Sequence, residues 1–160
     1  MLSESILKAY NEQIAHEMRN QIIYLSIRAY FVTKSLEGFA SFMCSQAAGE
    51  ADHAKKLMDY VSDRHDKYEI GTIEKPTVEY KNIVEVFKAA LEVEKGTTVK
   101  LKALYMLAAK ENDFASQAML DWFMTEQVEE ETTILKLLEK LELGAGMYTN
   151  ILLIDDQLKG

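Results

Sequence analysis

Apolar residues recur at helical spacing along four long stretches of this chain, and almost nothing interrupts them. The sequence holds one proline, Pro76, and seven glycines. Proline and glycine are the residues that end helices, so this sparse punctuation predicts an all-α fold. The pattern places helices over about residues 4–34, 36–65, 83–111 and 114–143, with a short fifth over about 147–158.

Each helix shows its own stripe and boundaries. Ser3 is placed to cap the first, and Leu2 with Leu7 is spaced as a hydrophobic staple. Ile6, Leu7, Tyr10, Ile14, Met18, Leu25 and Ala29 form its expected buried face. The second begins at Ser35 and carries Phe39, Phe42, Met43, Ala47, Ala54, Leu57 and Val61, with Cys44 expected in or beside the core. Asn82-x-x-Glu85 resembles a capping box for the third, which continues through Val86, Phe87, Ala90, Leu91, Leu101 and Leu104. Asn112 or Asp113 caps the fourth, whose stripe is Phe114, Ala118, Met119, Trp122, Phe123, Ile134, Leu137 and Leu141. The tail, with Met147, Ile151, Leu152, Ile154 and Leu158, is too apolar for solvent and too short to join the bundle, so it is expected to pack on neighbouring subunits.

The connection from Asp66 to Asn82 is long for a compact domain and calls for a reason. A helix of about 30 residues is about 45 Å long. About 16 extended residues reach about 50 Å. The connection can therefore run the length of a bundle and start the third helix parallel to the second, giving a four-helix bundle with one long crossover.

Length bounds the chain to one domain over residues 1–160. Its net charge of −8 argues against nucleic-acid binding, which needs a basic surface. No apolar run spans a bilayer and the start lacks a signal segment, so no membrane is expected. The single Cys44 excludes an internal disulfide framework and a four-cysteine metal site, and the cytoplasm is the expected location.

The chemistry lies in acids that interrupt the apolar stripes. Glu17, Glu50, Glu94 and Glu130 each fall where their helix should be apolar. His53 stands one turn from Glu50 on the same face. Alone, Glu50-x-x-His53 is weak, because three His among 18 Glu give about a one-in-three chance of such a motif. Glu126-Gln127-Val128-Glu129-Glu130-Glu131 alone would read as a solvated face. The register changes the balance. Glu94 follows Glu17 by 77 residues, Gln127 follows Glu50 by 77, and Glu130 follows His53 by 77. The first two helices therefore map onto the second two, as a duplication about a pseudo-twofold axis would leave them. Four converging carboxylates repel one another, and bound cations resolve that cost. Carboxylates with one imidazole suit Fe(II), Mn(II) or Zn(II), and shared carboxylates suit two metals close together.

These residues, with Asn11-Glu12-Gln13, Trp122-Phe123 and the short last helix, make the whole chain resemble the bacterial non-haem ferritins of the ferritin-like di-iron carboxylate family. The resemblance implies an intrasubunit di-iron ferroxidase centre. Glu17 and His53 would hold the first iron, Glu94 and Glu130 the second, and Glu50 would bridge. Gln127 would steer water or dioxygen, and Tyr24 would serve as hydrogen-bond partner and electron donor. It implies a cytoplasmic homo-oligomeric cage of 24 subunits that oxidises Fe(II) with dioxygen or peroxide and stores ferric mineral. A third iron site, built in many such proteins from an acid before Glu50 with Glu126 and Glu129, should be weak because that position is Gly49. Gln117 and Leu120 replace acids that animal relatives place in their three-fold pore. Ala51 stands where haem-binding relatives carry methionine, so no haem is expected. The competing readings are a non-storage di-iron oxidase or peroxidase, a helical interaction module with decorative acids, and a DNA-protecting mini-ferritin.

Overall fold

The computed structural model describes residues 1–76 and 79–159. Among these it forms five helices and no strand: α1 (Glu4–Thr33), α2 (Glu37–Asp63), α3 (Ile83–Lys110), α4 (Phe114–Leu143) and α5 (Tyr148–Leu158). Helix starts follow the expected chemistry. Ser3 Oγ accepts from Ile6 N at 3.2 Å, Asn82 Oδ1 from Glu85 N at 2.9 Å, and Asp113 Oδ1 from Ser116 N at 3.0 Å. Glu85 completes the start of α3 by accepting from Lys81 N at 3.1 Å, one residue before the capping-box position.

Helix ends departed from expectation at Ser35. It does not start α2; it sits at φ 57° and closes α1. Leu36 N donates to Phe31 O at 3.2 Å and Ser35 N to Val32 O at 3.1 Å, the paired bonds of a Schellman motif, with Leu36 and Phe31 in the same apolar cluster. His65 and Asn112 close α2 and α3 in the same way, at φ 59° and 60°. Side chains rather than glycine therefore occupy three left-handed positions, which explains how so few glycines suffice.

Contacts between helices run in opposite directions and fix the topology. From α1 to α3, Ser5 meets Glu111, Asn20 meets Thr97 and Tyr24 meets Glu94. From α2 to α4, Gln46 meets Glu130, Tyr60 meets Ser116 and Arg64 meets Asp113. From α3 to α4, Lys88 meets Glu142 and Thr98 meets Glu131. Both α2 and α3 are antiparallel to α4, so they are parallel to each other, as the crossover length requires. Residues 77 and 78 of that crossover lie outside the described residues. Asn11 Oδ1 accepts from Glu69 N at 2.9 Å and pins the crossover to α1.

Two apolar clusters fill the bundle and leave a gap between them. One gathers Phe31, Phe39, Phe87, Ala90 and Ile134; the other gathers Tyr10, Ile14, Leu57, Leu101 and Phe123. Every long helix passes from one cluster to the other through a polar level, at Glu17 and Asn20, Glu50 and His53, Glu94 and Thr97, and Gln127. The buried face of α1 consequently runs through Glu17, Asn20, Tyr24, Ile27 and Phe31, while Leu25 and Ala29 are exposed. Polar residues hold the buried positions there, so the apolar pattern slid onto the neighbouring face. The same reason moves the start of α4: Ser116 and Leu120 are buried, whereas Phe114 and Ala118 are exposed. Cys44 is exposed rather than in or beside the core.

The tail joins its own bundle. Ile154 and Asp155 are buried, and Asp155 Oδ1 accepts from Phe39 N at 2.9 Å at the start of α2. Gly38 makes this approach possible, since a Cβ there would overlap the Asp155 backbone oxygen. The opposite face of α5, with Tyr148, Leu152 and Leu153, stays exposed.

Candidate metal centre

The polar level draws on all four long helices. Glu17 is fully buried on α1, and its Oε1 accepts from Gln13 Nε2 at 2.6 Å. Glu50 and His53 stand one turn apart on α2. His53 Nδ1 lies 3.7 Å from Glu50 Oε2 and 4.0 Å from Glu17 Oε2. All three of these atoms are buried without a hydrogen-bond partner. Trp122 and Phe123 set their rings edge-on to the imidazole, at 5.6 and 5.7 Å between centroids, and hold it in place.

On the other side Glu94 receives the Tyr24 hydroxyl and, at 3.3 Å on Oε2, the Gln127 amide. Glu130 is half-buried, and its Oε2 accepts from Gln46 Nε2 at 2.7 Å. Donor atoms of Glu17, Glu50 and His53 all lie within 4.8 Å of one another. A second group meeting the same limit is His53 with Glu126 and Glu130. Of the acids singled out from the sequence, buried Glu94 and exposed Glu129 both lie outside these two groups. Gly49 faces open space, so nothing in the packing demands a glycine there.

Electrostatics follow from burial. Desolvation, then the neighbouring Glu50, holds the Glu17 carboxyl well above its ordinary range. Desolvation with the charges of Glu94 and Glu130 pushes Glu50 up to about 8. Desolvation with Glu130 and Glu17 pushes Glu94 up to about 7. Burial and the adjacent Glu94 charge raise the Tyr24 phenol. Buried carboxylates this reluctant to ionise, with ligand atoms left unpaired and aimed at one another, are what a divalent cation would satisfy. The donor set of carboxylate oxygens and one imidazole suits a borderline-hard metal such as iron, so the residues fit.

Sequence reasoning missed neutral polar residues that share the buried level with the acids. Asn20 Nδ2 donates to Thr97 Oγ1 at 2.9 Å, and His16 Nε2 pairs with the same hydroxyl at 2.9 Å. Asn20 and Thr97 are themselves 77 residues apart, so the pseudo-twofold axis passes between two matched positions that touch. That spacing was the signal that could have found them.

A bundle of this topology, with Glu17, Glu50 and His53 converging inside it and Glu126 and Glu130 gathered on the same imidazole, defines the class of carboxylate–histidine metal-binding bundles. The family model described as a ferritin-like domain matches residues 7–144. The chain is 41% identical to a bacterial non-heme ferritin of Staphylococcus haemolyticus over 133 residues, 83% of this chain and 80% of that one. It is 36% identical to the same kind of protein in Staphylococcus aureus, over 82% and 80%. An open-pore ferritin from Archaeoglobus fulgidus superposes with a TM-score of 0.97 at 34% identity, covering 99% of this chain and 97% of that one. This chain belongs to the ferritin family.

Proposed function

We propose that this chain, as one domain, stores and detoxifies iron by oxidising Fe(II) to Fe(III) at the centre described above. The observation that carries this reading is the convergence of Glu17 Oε2, Glu50 Oε2 and His53 Nδ1, all buried and without partners. In the proposed roles Glu17 and His53 bind one Fe(II) and Glu94 and Glu130 the second. Glu50 is shared, and Gln127 and Tyr24 flank the pair. Two Fe(II) give up two electrons to dioxygen, which leaves as hydrogen peroxide after taking two protons. Each Fe(III) then hydrolyses to oxyhydroxide, with release of protons.

The chain's own residues prepare each step. The carboxyls release their protons as Fe(II) binds, so charge arrives and leaves the buried site in balance. The Tyr24 hydroxyl and Gln127 amide hold Glu94 in one orientation, and Gln46 holds Glu130. Trp122 and Phe123 pack edge-on against the imidazole and limit its rotation. Product iron next meets His53, Glu126 and Glu130, the adjoining group, on its way to the mineral. With Gly49 in place of an acid, this way out holds iron weakly, and Gly49→Glu should raise the iron retained per chain. Ala51 offers no ligand for haem, and none is included.

The assembly proposed is a homo-oligomeric cage of about 24 copies of the 18.2 kDa chain, in the cytoplasm. The family assignment and the exposed apolar face of α5 support an assembly. No helix among the described residues is long and apolar enough to cross a membrane. Size exclusion followed by aerobic Fe(II) loading tests the reading. A particle of about 440 kDa that takes up hundreds of irons supports it. Two irons per chain and no more would point to a non-storage oxidase. Unchanged iron oxidation in Glu17→Ala and Glu50→Ala would remove the centre altogether.

A further inference from the structure

The neutral residue of the centre is as constrained as its acids. Gln127 is buried, and its Nε2 faces three acceptors. These are Glu94 O at 3.2 Å, Glu94 Oε2 at 3.3 Å and Thr98 Oγ1 at 3.3 Å. The two ends of a primary amide have nearly the same shape and opposite hydrogen-bonding sense. Turned over, Gln127 would set its carbonyl oxygen against a carbonyl and a carboxylate. Thr98 alone among the three could adapt, by donating its hydroxyl proton to that oxygen. Glu131 prevents this. Thr98 Oγ1 donates to Glu131 Oε1 at 2.5 Å, a short, charge-assisted bond that commits the hydroxyl's one proton. Towards Gln127 the Thr98 oxygen can therefore act only as an acceptor. The outcome is visible at the other end of the amide, where Gln127 Oε1 is buried and has no partner.

We propose that Thr98 and Glu131 are positioning residues that fix the polarity of the Gln127 amide, presenting its carbonyl oxygen to water bound on the metal held by Glu94 and Glu130. This rests on the two-metal reading above. Tyr24, Glu94, Gln127, Thr98 and Glu131 form one hydrogen-bonded chain across the bundle. An amide nitrogen does not hand a proton on, so this chain orients groups rather than conducting protons. Its outer end reaches the groove between α3 and α4, which Thr98, Gln127 and Glu131 line together with Lys95 and Lys102. Facing the metal with an acceptor favours a ligand that carries protons, such as water, over a bare anion.

The test is Zn(II) titration by calorimetry on the assembled full-length protein after chelator treatment, in wild type, Thr98→Val, Thr98→Ser, Glu131→Ala and the Thr98→Val/Glu131→Ala double variant. Wild type should bind two ions per chain. Thr98→Val should weaken the second ion about tenfold and leave the first unchanged, the scale at which ligand-orienting residues act. Thr98→Ser, which keeps the hydroxyl, should restore it. Glu131→Ala frees the hydroxyl proton to compete for the carbonyl oxygen and should weaken the second ion similarly. Because both residues act through one hydroxyl, the double variant should be no worse than Thr98→Val alone. Fewer than two ions in wild type would remove the two-metal reading itself. Two ions in wild type with an unchanged second site in Thr98→Val, or losses that add in the double variant, would overturn this inference and leave that reading standing.

Discussion

Stripped of metal, the folded chain should lose stability as pH rises towards neutrality. Glu17, Glu50 and Glu94 hold protons more tightly folded than unfolded, because burial penalises their charged forms. A carboxyl raised above its ordinary 4.5 contributes stability that is fully present below that value. It is lost as pH rises, through about 7 for Glu94 and about 8 for Glu50. Each proton kept only by the folded state gives a slope of about 1.4 kcal/mol per pH unit. Protons held on Glu17, Glu50 and Glu94 therefore cost together about 4 kcal/mol per unit below about pH 7. His16 opposes this. Burial, with Lys100 and Arg19 nearby, pushes it down to about 4 from 6.5, so it adds stability as pH rises between those values. The net slope should be about −3 kcal/mol per unit up to pH 6.5, steepen to about −4 between there and about 7, and ease again as Glu94 gives up its proton. Urea unfolding followed by circular dichroism in excess chelator, at steps from about pH 5 to 8, measures it. Saturating Zn(II) should reverse the trend, since metal binding requires the deprotonated ligands. Apo stability that is flat or rising between about pH 6 and 7, or a slope unchanged in Glu50→Gln and Glu94→Gln, would refute the reasoning.

Glycine substitutions should separate two kinds of site. Gly49→Ala places a methyl in open space within α2 and should stabilise the protein by about 0.5–1 kcal/mol in the same unfolding assay. Gly38→Ala should instead lower stability and loosen α5, because its Cβ overlaps the Asp155 backbone oxygen. Asp155→Ala removes the acceptor for Phe39 N and should cost about 1 kcal/mol, with faster amide exchange at Phe39 and along α5. Phe39→Ala opens the cluster where that ring packs against Phe31 and Phe87 at 5.1 and 5.7 Å, and should cost about 3–5 kcal/mol.

Helix number, order and the parallel start of α3 were all legible before any coordinates, because apolar periodicity and the length of a connection are local properties of a chain. The acids of the polar level were legible for a different reason. A carboxylate inside an apolar stripe is a conflict that one helix shows by itself, and the 77-residue register repeats it at matched positions. Tertiary structure alone decided which polar residues share the buried level. Asn20, Thr97 and Thr98 are unremarkable in sequence, since a hydroxyl or amide suits either surface or core until its partner is known. It also decided where the stripes of α1 and α4 turn, because Asn20, Tyr24 and Ser116 are buried only through groups from other helices. The tail was the largest departure. Its apolar residues showed that it must be covered, but Gly38 and the free Phe39 amide, more than a hundred residues earlier, determined that part of the cover is the chain's own second helix. Periodicity shows which face of a helix needs a partner; only the packed chain shows which partner meets it.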